Sequence, residues 1–197
     1  MFRRRGGLAK PRRMQTRMQA AAAAQPGAGP AAPEGINRYL MQQRIFALGQ
    51  DFVIYDAAGQ PAFKIDGKVR LIKESLKFRD LEGNELYRLS EKVIRVRDSY
   101  DILRGDQVAA QVHNAIFDPL RERFTIEIPD GQDMMTMGKV IWAEYNITRD
   151  GQPVAKISKR FSWIRRDQYA VDVVQGEDDC LILAITVVID MMVSNGR

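Results

Sequence analysis

From Cys180 to Val193 the chain is apolar on nearly every side: Cys-Leu-Ile-Leu-Ala-Ile-Thr-Val-Val-Ile, then Asp190, Met191, Met192 and Val193. A segment apolar all round is either enclosed by protein or inserted in lipid. These fourteen residues make about 21 Å of helix, against a hydrocarbon core of about 30 Å. Asp190 at mid-membrane would cost roughly 2.5–3.5 kcal/mol. A buried core helix is therefore expected, with a transmembrane or monotopic anchor as the alternative. Val187, Val188 and Ile189 are β-branched, so periodicity alone leaves a central strand open. Asp178 and Asp179 suit the N-cap and the positive end of a helix dipole, and Ser194-Asn195-Gly196 makes a stop. These end signals favour a helix over about 179–193.

The body of the chain repeats itself. Ile54-Tyr-Asp56-Ala-Ala-Gly59-Gln-Pro-Ala-Phe63-Lys-Ile65 aligns without a gap onto Phe78-Arg-Asp80-Leu-Glu-Gly83-Asn-Glu-Leu-Tyr87-Arg-Leu89, 24 residues further on. Ile102–Val112, turning at Gly105-Asp106, and Ile147–Ile157, turning at Asp150-Gly151, are versions one residue shorter. Each unit reads as a half-buried strand, an Asp/Gly turn and a returning strand. A solenoid or propeller is the competing reading, but the units are too short for blades and their spacing becomes irregular after Val112. Many short strands at this spacing indicate a sandwich or closed barrel. A barrel of about a dozen strands is too wide for strand side chains alone to fill. The apolar C-terminal segment is the one candidate to fill it.

The net charge of +5 divides unevenly. Residues 1–34 carry seven basic groups (Arg3, Arg4, Arg5, Lys10, Arg12, Arg13 and Arg17) and one acid, Glu34. The remainder holds 23 basic and 24 acidic residues and is close to neutral. Ala20–Pro33 is an Ala/Pro/Gly linker with little to bury. The organisation expected is a basic flexible tail and linker over 1–34, then one barrel domain over 35–197. No apolar h-region follows the arginines, so a secretory signal is not expected; Arg-rich, acid-poor character loosely suggests an organelle transit peptide, although the tail lacks Ser. With Cys180 the single cysteine, no disulfide framework exists, and a cytoplasmic location fits best.

Tyr39-Leu-Met-Gln-Gln-Arg-Ile-Phe46, then Gly49-Gln-Asp-Phe52-Val-Ile54-Tyr-Asp56, resembles the opening of the LURP-one-related proteins, which share the Tubby C-terminal fold with phospholipid scramblases. Val154-Ala-Lys156-Ile-Ser158-Lys159-Arg-Phe161, Trp163 and Asp167-Gln-Tyr169-Ala-Val-Asp172-Val are similar to that family's later signature. Asp178-Asp179 and the apolar segment with an acid near its end also match. The resemblance covers roughly Tyr39 to Val193 and leaves out the basic tail. It implies a mainly β protein, a twelve-stranded Tubby-like closed barrel around a buried hydrophobic C-terminal helix. Tubby domains bind phosphoinositide headgroups and scramblases move lipids with calcium. Neither the headgroup residues nor the calcium segment maps onto this sequence position by position, and Glu177, Asp178 and Asp179 are better explained as a helix cap.

Enzymatic signatures are absent. His113 and Cys180 are the single residues of their kinds, which argues against Cys/His zinc sites and a Cys-His pair. His113 is expected at a strand end, and Asp56, Asp80, Asp106 and Asp150 are turn residues by their repeat positions. No Walker loop or dinucleotide fingerprint appears. No enzyme, no cofactor and no metal site are expected. Lys156, Lys159, Arg160, Arg165 and Arg166 form the basic cluster of the body and a candidate barrel headgroup patch. A solvated strand face is the favoured reading of these residues, with the headgroup patch as the alternative. Alternation places Lys156, Ser158 and Arg160 on one face and Ile157, Lys159 and Phe161 on the other. Trp163 and Tyr169 nearby are an interfacial aromatic belt, a ligand edge or core. Met134, Met135 and Met137 are expected as core packing, with a flexible contact loop as the alternative.

The tail is the clearest functional element. Its arginines and lysine attract polyanions, each contributing about 1 kcal/mol near an anionic membrane. The leading expectation is a non-enzymatic barrel at an anionic phospholipid surface, or an interaction scaffold, with a polybasic N-terminal tether. It would be cytoplasmic and peripheral, with no transmembrane span. The alternative is an accessory component of a nucleoprotein or other large assembly whose tail threads along RNA or acidic protein. Phe2 is the tail's lone aromatic, which argues against base stacking. A third reading, a pocket at the barrel end serving as an enzyme or carrier site, conflicts with a lumen occupied by helix.

Overall fold

A computed structural model describes residues 32–42, 52–66, 75–94, 97–114, 123–139, 144–159 and 168–195. Its elements, in chain order, are β1 (Ile36–Gln42), β2 (Phe52–Asp56), β3 (Pro61–Asp66), β4 (Ser75–Arg79), β5 (Glu85–Ile94) and β6 (Arg97–Arg104), then β7 (Gln107–Asn114), β8 (Phe124–Glu127), β9 (Met134–Lys139), β10 (Glu144–Arg149), β11 (Gln152–Lys159) and β12 (Gln168–Val174), and last the helix α1 (Asp179–Asn195). Each strand pairs with the next, and β1 closes the ring against β12. The closing seam is a full antiparallel ladder from Ile36↔Val174 to Gln42↔Gln168. This is the mainly β, twelve-stranded barrel expected from the repeats.

The repeated turns have one chemistry. Asp56 accepts from Gly59 N–H through its carbonyl at 3.0 Å and from Gln60 N–H through Oδ1 at 2.8 Å. Asp80 does the same with Gly83 N–H at 3.3 Å and Asn84 N–H at 2.7 Å. Gly59 and Gly83 take φ of +79° and +94°, a region costly for residues with a Cβ. A bulge follows in each hairpin, at Ile54/Tyr55 and at Phe78/Arg79, which absorbs the odd residue and sharpens the twist needed for closure. The shorter unit at Asp150-Gly151 has positive φ at both residues, +49° and +78°, the requirement of a type I′ hairpin turn.

Alternation along the strands separates lumen from solvent. In β4, Leu76 and Phe78 are buried between half-buried Ser75, Lys77 and Arg79. In β12, Tyr169, Val171 and Val173 join the core. The lumen these residues leave is filled by α1. Every residue from Ile182 to Ile189 is at most 1% exposed, a condition that an amphipathic surface helix never meets. Strand side chains and helix form one continuous core. Each large aliphatic side chain buried there contributes about 1.5–3 kcal/mol, so helix and wall stabilise each other. Among the described residues, no helix is long and apolar enough to cross a membrane.

Period-two geometry corrects one expectation. Met134 is 3% exposed and belongs to the core, but Met135 and Met137 are 49% and 48% exposed. In β9 the inward positions are Met134 and Thr136, so Met135 and Met137 stand on the outer wall. Tyr169, one candidate for an interfacial aromatic, is 2% exposed and sits inside.

Candidate functional site

Among the described residues, the structure brings chemistry together in two places: the mouth where α1 enters the barrel, and the outer wall over β9, β10 and β11. At the mouth the chain leaves β12 and reverses through Gln175–Asp178. Gly176 takes a φ of +97°, and Gln175 N–H is held by Gly35 carbonyl at 2.9 Å. Asp178 is the N-cap: its carbonyl accepts from Ile182 N–H at 3.0 Å, and its Oδ1 accepts from Leu181 N–H at 3.0 Å. Its Oδ2 accepts from Tyr87 Oη at 2.9 Å and from Arg104 Nη2 at 2.6 Å. The Arg104 guanidinium also donates to the Tyr87 hydroxyl and lies 4.8 Å from the Tyr87 ring centroid. Asp179 Oδ2 accepts from Asn37 Nδ2 and from Tyr39 Oη, both at 2.8 Å. Glu177 accepts both guanidinium nitrogens of Arg149, at 2.7 and 2.9 Å.

Three successive acids therefore tie the helix to four strands: β10 through Arg149, β5 and β6 through Tyr87 and Arg104, and β1 through Asn37 and Tyr39. The electrostatics follow from that geometry. Burial opposes ionisation of Asp178, but the bonds from Leu181, Tyr87 and Arg104 outweigh it and hold the carboxyl below its usual value. Burial raises the Tyr39 and Tyr87 phenols, and their aspartate partners raise them further. The Cys180 thiol is pushed up to about 11, first by burial and then by Asp178 and Asp179, which disfavours a nucleophilic thiolate. The cluster is a structural latch in which each acid is held by at least one partner, with Asp179 Oδ1 left buried and unbonded, the helix-cap role expected for Glu177, Asp178 and Asp179. Arg104, Arg149, Tyr87, Tyr39 and Asn37 were not expected there. They lie 28 to 142 residues from their partners, and no local pattern marks them.

On the outer wall the charges are mostly paired across strands. Arg38 holds Asp172 through two bonds at 2.6 and 2.8 Å. Lys77 pairs with Glu85 at 2.9 Å, and Lys92 with Asp101 at 2.8 Å. His113 sits near the end of β7 as expected, 3.3 Å from Glu127. Lys156 differs. It stands opposite Asn146 on one side and Asp172 on the other, but Asp172 is already taken by Arg38. Lys156 instead lines a shallow cavity of about 370 Å³ with Asn146, Glu144, Ser158, Met137 and Gly138. Gly138 has a φ of +132°, and a Cβ there would lie 2.6 Å from the Glu144 carbonyl oxygen, so this part of the wall tolerates only glycine.

Of the candidate headgroup patch, Lys156 is exposed on β11, and Lys159 pairs with Tyr169 through the backbone. The Lys159 side chain lies outside the described residues, as do Arg160, Arg165 and Arg166, and Arg3, Arg4, Arg5, Lys10, Arg12, Arg13 and Arg17 of the tail. The structure adds Glu144 and Asn146 to Lys156, two residues that no basic-cluster pattern could select.

Comparison with known proteins follows the same outline as the fold. A family model described as LURP-one-related matches residues 37–190. A curated relative, "Uncharacterized protein YxjI" of Bacillus subtilis (strain 168), is 28% identical over 157 residues, covering 79% of this chain and 93% of the relative. Among solved structures, that of the Arabidopsis thaliana protein AT5G01750 superposes with a TM-score of 0.61 at 15% identity. It covers 82% of this chain and 93% of the other, a likeness of fold.

Proposed function

The chain belongs to the LURP-one-related family, and from that premise we propose that it is a non-enzymatic Tubby-like barrel acting as a peripheral binding protein at anionic phospholipid surfaces. The observation that carries this reading is the filled lumen. A helix buried on all sides from Ile182 to Ile189 occupies the space where a barrel otherwise holds a small molecule. Partners are then met by the outer wall and by residues 1–34. The wall region is nearly neutral, whereas Arg3, Arg4, Arg5, Lys10, Arg12, Arg13 and Arg17 concentrate the positive charge in one short segment. Such a segment is drawn to the negative cytoplasmic leaflet with about 1 kcal/mol per basic residue. The near-absence of tail aromatics favours a lipid surface over single-stranded RNA.

Sedimentation with vesicles tests the reading. The full chain is expected to bind phosphatidylcholine vesicles that contain phosphatidylserine, to ignore pure phosphatidylcholine in this electrostatic component, and to release as salt rises. Replacing all seven tail cations by Gln should remove the phosphatidylserine dependence. Binding to RNA with a steep salt slope, together with indifference to anionic vesicles, would favour a nucleoprotein partner instead.

A further inference from the structure

The outer-wall cavity over β9–β11 carries an unsatisfied pair of opposite charges, and we propose that it binds a phospho-ammonium headgroup, the zwitterion of phosphatidylethanolamine. Among the described residues, the side chains of Lys156, Glu144, Asn146 and Ser158 make no hydrogen bond or ion pair with protein groups. Several other strand charges on the wall, Arg38, Lys77, Glu85, Lys92 and Asp101, are paired. Lys139, likewise without an ion pair among the described residues, stands directly opposite Glu144 across β9 and β10, whereas Glu144 and Lys156 are kept apart by register. Asn146 stands opposite Lys156 and Tyr145 opposite Ile157, so Glu144 falls diagonal to Lys156, about 7–8 Å away between backbones. That gap separates the charges enough to leave them unpaired and close enough for one small ligand to bridge them.

The chemistry of the lining selects the bridge. Lys156 ammonium meets a phosphate, with Asn146 Nδ2 and Ser158 Oγ as further donors to its oxygens. Glu144 accepts from a primary ammonium, which donates hydrogen bonds that a quaternary ammonium lacks. A phosphate joined to an ammonium through a two-carbon spacer spans the diagonal, whereas an α-amino acid carries its charges on neighbouring carbons. A serine headgroup would add a carboxylate facing Glu144 and is disfavoured. Met137, on the cavity rim, and Met135, two residues along the same outer face, are half exposed. They offer polarizable apolar contact to the glycerol and acyl region beyond the phosphate. The inference extends the membrane reading and names a headgroup that the basic tail does not distinguish, since phosphatidylethanolamine and phosphatidylcholine are both neutral.

That neutrality allows a test independent of the tail. The full chain with the seven tail cations replaced by Gln is sedimented with phosphatidylcholine vesicles with and without phosphatidylethanolamine. Binding should rise with phosphatidylethanolamine, and Lys156→Ala should weaken that response about tenfold, the worth of one charge-assisted hydrogen bond. Glu144→Gln should abolish the preference for ethanolamine over choline while retaining binding to the phosphate. Both residues are exposed, so circular dichroism of the variants is expected to match the parent. Glycerophosphoethanolamine, added free, should compete. If it binds to the protein while vesicles do not, the same site serves a soluble phospho-ammonium compound and the bilayer source is overturned. Equal binding to both vesicle types with no effect of free headgroup, or an undiminished response in Lys156→Ala, overturns the site. Retained phosphatidylserine binding by the unmodified chain in that case leaves the tail reading intact.

Discussion

The two ends of the barrel lumen treat their tyrosines differently. At the mouth, Tyr39 and Tyr87 each donate to an aspartate at the start of α1, and Arg104 neutralises one of those acids. Toward the other end of the helix, Tyr145 and Tyr169 lie buried near Asp190. There Tyr145 meets the Thr186 hydroxyl, while Tyr169 Oη finds no hydrogen-bond partner among the described residues. Burial first, and the Asp190 charge second, raise both phenols well above their usual value. Between the two ends runs an apolar stretch with no polar side chain but Thr186, whose hydroxyl donates to the Ile182 carbonyl at 2.9 Å. Apolar burial supplies the bulk of the stability because it scales with area and has no direction. It cannot fix how far the helix enters. The mouth supplies that register, because its hydrogen bonds and ion pairs are directional and join the helix start to fixed positions on the strands.

Removing α1 tests the apolar part and has the largest expected effect. A chain ending at Asp178 should lose cooperative thermal unfolding and become insoluble, since the wall residues around the lumen would face a void. A folded, soluble truncation that merely lost membrane attachment would return the segment to the role of an anchor. Next in size, Leu183→Ala, at a position with 0% exposure, should cost about 2–5 kcal/mol in denaturant titrations.

The mouth should respond more gently and with a pH signature. Asp178→Asn keeps a capping side chain but loses the charge that Arg104 meets, and should cost about 1 kcal/mol at neutral pH. The folded carboxyl of Asp178 lies below its free value of 3.8. Its contribution is therefore complete above that pH and is lost as pH falls through the folded value. Stability of the parent should drop more steeply than that of the variant between about pH 5 and about pH 2. Parallel acid limbs would remove Asp178 from the latch.

The smallest effects separate the tyrosines. Tyr87→Phe removes a bonded hydroxyl and should cost about 1 kcal/mol. Tyr169→Phe removes an unbonded one and should be neutral or stabilising by up to about 1 kcal/mol. Equal losses in the two variants would place a partner on Tyr169 and erase the contrast between mouth and far end.

Much of the fold was legible because its signals are local. Asp56 and Asp80 cap their own turns within four residues. Asp178 caps its own helix within three. The apolar run from Cys180 announces enclosure without naming its neighbours. The outward placement of Met135 and Met137 was also written locally, in the alternation of β9, but three methionines together read as core. The candidate site was less legible. Lys156 stood out as part of a basic cluster, but its lone state depends on Asp172 choosing Arg38, a residue 134 positions away.

The sequence by itself determined the turns, the alternation of the strands, the capped apolar helix and the concentration of charge in residues 1–34. Hydrogen bonds that close within four residues, and side-chain periods of two, need no distant partner. Tertiary structure alone decided that β1 meets β12, that Glu177, Asp178 and Asp179 reach four different strands, and that Lys156 and Glu144 face one cavity unpaired. Those pairings follow from ring closure and strand register, which a whole barrel fixes and no short stretch of chain encodes.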